Sequence, residues 1–176
     1  MRNCISIVQF TVSHLSFKDK EGKGKEMETL STNAFISYSH RDKKHLEDLK
    51  RHMSYLEKKY QLHIWDDRMI PPGGRWRDTI ETELVSAKVG ILLVSTDFLA
   101  SDFIMNEELP FLLQATQERN LQLLSIIVRP CLFEETPLSA FQLLNTTPLT
   151  LMSKAKCEDV LRQIAMKISR VLQEVS

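Results

Sequence analysis

The chain has 176 residues, 43% of them hydrophobic and 26% charged, with Lys and Arg balancing Asp and Glu at 23 each. This is enough apolar material for a real core in one domain, or in one domain with a tail. The balance excludes a global field drawing the chain to nucleic acid or an anionic membrane, and no apolar run approaches the roughly 20 residues of a membrane span.

Residues 1–17 alternate in part (Ile5, Ile7, then Phe10 and Val12), which predicts an edge strand. Ser, Gln, Thr and His interrupt this stretch, so it is not a secretory signal. Residues 18–26, KDKEGKGKE, read as a charged, glycine-containing linker. Met27 follows directly, so translation from Met1 and translation from Met27 both stand as readings. The division expected is an extension and linker over residues 1–32 and one domain over 33–176.

From Asn33 the signal strengthens. Ala34 to Tyr38 is a short strand ended by Ser39-His40-Arg41-Asp42, and Asp42 is a candidate cap for the next helix. Leu46, Leu49, Met53 and Leu56 recur at helical spacing and predict a helix over Lys43 to Lys58. Leu62 to Trp65 is a second strand. DDRMIPPGG, from Asp66 to Gly74, is a loop, and Trp76 to Ala87 is a second helix.

Val89 to Ser95 and Leu121 to Val128 are nearly continuous apolar runs, the mark of strands covered on both faces. Between them Ala100 to Ala115 reads as a third helix. Arg129 to Asn145 is a long connection with one helical turn around Leu138 to Leu143. Pro148 to Leu151 is a short edge strand, and Lys156 to Val175 is the last helix. The alternation predicts an α/β fold, a parallel sheet with helices on both faces. Ligands in such sheets bind beyond the carboxyl ends of the strands.

The third helix holds an acid where the apolar stripe should be unbroken. At ~100° per residue, Ala115, Ile104 and Leu112 fall within about 40° of Glu108, and Glu107 is turned about 100° away. A carboxylate on a core-facing stripe needs a partner or a cavity. Two readings stand: Glu108 is a structural acid paired with Arg41 or Arg129, or it is a functional group at the ligand edge.

Several chemistries are disfavoured. Ser, His40 and Asp42 crowd into one turn, whereas the residues of a hydrolase triad come from separate elements. PPGG lacks the Lys-Ser/Thr of a phosphate loop, and no GxGxxG follows a strand. A phosphorelay receiver needs an acidic cluster after the first strand, where this chain has Ser37-Tyr38. The cysteines Cys4, Cys131 and Cys157 are scattered, without metal spacing or a disulfide framework, so the expected compartment is the cytoplasm.

FISYSHRD on the first strand, W-D-D-x-x-I-P-P-G-x-x-W from Trp65 to Trp76, LLVSTDFLASDFI into the third helix and SIIVRPC on the fourth strand resemble the bacterial branch of the TIR domain family. The resemblance runs from about Asn33 to the end of the chain. It implies a flavodoxin-like five-stranded parallel sheet. For the NAD+-cleaving members it implies hydrolysis of the nicotinamide–ribosyl bond, with release of nicotinamide and ADP-ribose or a cyclised isomer, in bacterial anti-phage immunity. Other members only assemble with partner TIR domains. NAD+ is then the substrate, and no cofactor or metal is implied.

The family's glutamate precedes an aliphatic residue in the third helix, and Glu108-Leu109 matches it. The resemblance places Phe35, Ser37 and Tyr38 on the pocket floor and Asp66 to Trp76 in the loop that mediates self-association and closes a neighbour's site. Trp76 or Trp65 is offered as a platform for an aromatic base. Many active members carry tryptophan four residues before the glutamate. Here that position is Ile104, with Phe103 beside it, and a register shift of one would make Glu107 the candidate. A separate effector or sensor protein is the expected further partner.

Overall fold

The two apolar runs predicted as central strands lie side by side in the sheet, as their continuous hydrophobicity requires. The computed structural model describes residues 5–12, 33–60, 62–66, 87–119 and 121–174. β2 (Asn33–Ser39), β4 (Ala87–Val94), β5 (Gln122–Ile127) and β6 (Gln142–Leu143) are hydrogen-bonded in parallel, β2 to β4, β4 to β5 and β5 to β6. β1 (Ile5–Val12) pairs antiparallel with β2 on one side and with β3 (Leu62–Asp66) on the other. The sheet is six-stranded, in the order β3-β1-β2-β4-β5-β6.

Two expectations change here. Four contiguous strands are parallel, not five, and β1 is an interior strand, not an edge. Alternation with period two reports that a strand exists; it does not say which neighbours it takes. β1 occupies the hydrogen-bonding edge of β2 that a purely parallel sheet would give to β3.

One face of the sheet is covered by α1 (Lys43–Tyr60) and α4 (Lys154–Glu174), which follow the predicted helices within two residues at each end. Leu46, Leu49 and Met53 from α1 and Leu161, Ile164 and Ile168 from α4 close over Ile36, Ile91, Leu93 and Ile126. The other face is covered by the short α2 (Thr96–Leu99) and by α3 (Leu109–Arg119), with Phe98, Leu109 and Leu112 packed on Phe35, Leu92, Val94 and Leu123. Burying each such side chain contributes about 1.5–3 kcal/mol. Gly90 belongs to this second face by alternation, and a methyl group there would stand 2.8 Å from Leu123 Cδ1.

The predicted second helix does not extend to Ala87, which begins β4; residues 67–86 lie outside the described residues. Pro148 to Leu151 is not a strand. Leu149–Leu151 forms a single 3-10 turn, anchored where Thr150 N–H donates to Val128 O at 3.0 Å. The strand beside β5 is instead Gln142–Leu143, within the stretch read as a helical turn; the turn itself is Pro137–Ala140. Among the described residues no helix is long and apolar enough to cross a membrane.

Candidate functional site

The chain reverses its direction of travel across the sheet beside β2, so the carboxyl ends of β2 and β4 form the ligand-binding edge of this topology. The segment after β4 starts with a well-made cap. Ser95 Oγ accepts the Phe98 N–H at 3.0 Å and opens α2. Ser101 follows, and its carbonyl accepts the Met105 N–H at 3.0 Å.

The chain enters α3 through a π-turn over Ile104–Glu108, in which the Leu109 N–H donates to the Ile104 carbonyl five residues back. This wider turn holds one residue more than an α-turn and brings Ile104 and Glu108, both 0% exposed, onto the same inward line. Leu109 is buried as well, which a uniform 100° wheel does not anticipate. Glu107 is half-buried on the neighbouring position. The inward acid is therefore Glu108, as the wheel predicts.

Its surroundings are apolar. Ile104, Leu109 and Leu112 share one cluster with Phe35, Leu92, Val94 and Phe98. Burial pushes the Glu108 carboxyl up from 4.5 to about 7, and the nearby Ser37 hydroxyl works in the opposite direction. No hydrogen bond of ordinary geometry is formed, since Ser37 Oγ and both Glu108 carboxyl oxygens are without a partner. Ser37 is close enough to act on the charge and short of a made bond.

The pairing registers explain the neighbourhood. Ser37 lies opposite Leu92, and Leu92 lies opposite Ser125, so the three form one row across β2, β4 and β5. Alternation puts this row on the α3 face. Ser125 is fully buried and its hydroxyl also lacks a partner. Among the described residues, five buried side-chain polar atoms have no hydrogen-bond partner. Four of them are in this layer, which therefore departs from the rule that buried polar groups are paired. Sequence reasoning did not single out Ser125, although a serine inside LQLLSIIV is the signal for it.

The structural alternative for Glu108 fails on geometry. Arg129 Nε donates to Asp42 Oδ1 at 2.9 Å, and Arg41 Nε lies 3.4 Å from Asp97 Oδ1. Asp42 is fully buried and also accepts Ser95 Oγ at 2.5 Å. Its carboxylate joins the loops after β2, β4 and β5; Asp42 itself lies in the 3-10 turn His40–Asp42, ahead of α1.

The remaining predicted residues divide by strand face. Phe35 and Ser37 lie on the side of Glu108. Tyr38 does not. It belongs to the opposite cluster with α1 and α4, and its ring stacks on His40 with centroids 6.1 Å apart. Phe103 immediately precedes the π-turn and is half-buried. Asp66 ends β3, and Trp76 lies outside the described residues.

Comparison with known proteins agrees with this architecture. A family model described as "TIR domain" matches residues 34–164. The chain is 29% identical over 116 residues to the uncharacterized protein y4lF of Sinorhizobium fredii (strain NBRC 101917 / NGR234), a match covering 66% of this chain and 35% of that protein. The chain thus matches about a third of that relative's length. No solved structure matches the chain. With most of its length matched by the family model, the chain belongs to the TIR domain family.

Proposed function

We propose that this TIR domain is an NAD+ nucleosidase that cleaves the nicotinamide–ribosyl bond, with Glu108 as its catalytic carboxylate. The observation that carries the reading is a buried carboxyl without a hydrogen-bond partner, on a π-turn beside the ligand edge of the sheet. A group in this condition costs stability, and such groups concentrate at functional sites.

The chemistry suits one carboxylate. As nicotinamide departs, positive charge develops at the ribose C1. An anion held against that sugar stabilises the charge more in the transition state than in the ground state. Nicotinamide leaves as a neutral base, so no strong general acid is needed. Water then captures the ribosyl cation to give ADP-ribose, or the adenine ring captures it to give a cyclic isomer. Only the ionised form of Glu108 performs this role, so the rate rises with pH through about 7.

Glu108 is fully covered in this conformation, so substrate entry requires a rearrangement at α3. In this proposal the rearrangement accompanies self-association, with the 66–76 loop of a neighbouring copy completing the site, and a separate sensor or effector protein controls assembly. Phe35 and Phe103 line the pocket, with Asp66 and Trp76 contributed by the loop. The match to a bacterial protein fits a bacterial setting; the cytoplasmic role in defence against phage is part of this proposal and rests on the family resemblance alone.

The second reading is a scaffold that acts by TIR–TIR assembly without catalysis. Ile104 favours it: the residue is fully buried in the core and offers no ring to a ligand. Nicotinamide release from NAD+, followed on concentrated or crowded protein, separates the two. The catalytic reading expects turnover that is lost in Glu108→Gln and kept in Glu107→Gln. No turnover while self-association persists would leave the scaffold, and chromatography of the products distinguishes hydrolysis from cyclisation.

A further inference from the structure

We propose that Ser37 is the positioning residue for Glu108: its hydroxyl, buried on β2 beneath the π-turn, donates to the ionised carboxyl and fixes that carboxyl's direction and charge state.

Ser37 has no other evident occupation. It is fully buried in the middle of the sheet, between Ile36 and Tyr38, which face the opposite cluster. A buried hydroxyl without a partner lowers stability by about 1–3 kcal/mol. Alanine at this position would pack as well and avoid that loss, so stability does not explain the serine. Facing it is a second unpartnered group, the Glu108 carboxyl. A serine O–H suits either charge state: it donates to a carboxylate and accepts from a protonated carboxyl.

Among the described residues the one other unpartnered hydroxyl of this layer is Ser125, two strands away from Ser37 on β5, and it is not among the influences on Glu108. The charged groups on the surrounding elements are engaged elsewhere. Asp97 on α2 meets Arg41, Arg129 after β5 meets Asp42, and Glu118 on α3 accepts from Gln114 Nε2 at 2.9 Å. Glu107 shares the π-turn but occupies the adjacent, half-buried position. The influences on Glu108 are burial, which favours the neutral form, and Ser37, which opposes it. Ser37 thus keeps a deeply buried acid ionisable near neutral pH. The kinetic consequence rests on reading Glu108 as the reacting carboxylate; the ionisation of Glu108 does not.

The test follows the Glu108 carboxyl directly, by infrared difference spectra of the full chain against Glu108→Gln across pH. In Ser37→Ala the ionisation midpoint should move to higher pH by about one pH unit, and Ser37→Thr, which keeps the hydroxyl, should restore it. At pH 5, where Glu108 is protonated, Ser37→Ala should melt no lower than the parent; at pH 8 it should melt lower, because the ionised carboxyl has lost its donor. Should Ser37→Ala not fold, Ser37→Cys supplies a weak donor of similar size for the same comparison. An unchanged midpoint in the folded variant, or an equal displacement in Ser37→Thr, would overturn the proposal. With NAD+, the pH–rate profile should move by the same interval while KM stays constant. A displaced midpoint without any nicotinamide release would keep the role of Ser37 and remove the NAD+ reading.

Discussion

Among the described residues two carboxylates are fully buried, and they are held in opposite ways. Asp42 accepts Ser95 Oγ at 2.5 Å and Arg129 Nε at 2.9 Å, and through them it ties three strand ends together. Glu108 has equal burial and no hydrogen bond of ordinary geometry, with the Ser37 hydroxyl close by. Paired, a buried charge is part of the scaffold; unpaired, it raises its own pKa and waits for a ligand or a proton. On the proposed reading this difference makes Asp42 structural and Glu108 the reacting group, though both are acids near the same edge of the sheet.

The comparison breaks most visibly at Asp42. Asp42→Ala removes the acceptor of both Ser95 Oγ and Arg129 Nε and unties the loops; at about 1.5–3 kcal/mol for each bond to a charged group, denaturant titration should show a loss of about 3–5 kcal/mol. Next is Glu108→Gln, measured as nicotinamide release. Removing a preorganised charge that acts in the transition state should lower turnover by about 10²–10³, equivalent to about 3–4 kcal/mol.

The pH dependence of stability gives the third test. Glu108 ionises near its ordinary 4.5 in the unfolded chain and at about 7 in the fold, so between these limits the folded protein holds the extra proton. The stability from this residue is complete below pH 4.5 and is lost as pH rises through 7, a difference of about 3 kcal/mol. Urea titrations at pH 5 and pH 8 should show it in the parent protein and not in Glu108→Gln. The smallest effect is expected for Arg129→Lys. It keeps a cation beside the buried Asp42 carboxylate and loses only the directed bond of a guanidinium side chain that is 42% exposed, so the loss should be about 0.5–1.5 kcal/mol.

Much of this contrast is legible in the sequence, and the rest fails for physical reasons. The runs VGILLV and LQLLSIIV specify strands covered on both faces, and the stripes of α1 and α4 place those helices closely. The wheel turned Glu108 inward because burial follows periodicity even where the helix departs from α geometry. It could not show the π-turn, since one extra residue per turn is invisible to a fixed angle. Asp42 looked like a local cap, but its partners are 53 and 87 residues away, beyond any local pattern. The same limit hid the interior place of β1, which only its pairing partners define. Tyr38 is a different kind of miss. Alternation through FISYS already sets it opposite Phe35 and Ser37, and the family resemblance obscured this by grouping all three.

Stability and nicotinamide release measured side by side in Asp42→Asn and Glu108→Gln test the division between the two acids most directly. The account predicts that Asp42→Asn is strongly destabilised. It predicts that Glu108→Gln, at pH 8 and under assembly conditions in which the parent turns over NAD+, is at least as stable as the parent and releases nicotinamide about 10²–10³ times more slowly. A Glu108→Gln protein that unfolds as readily as Asp42→Asn, or that keeps the parent's turnover, would contradict it.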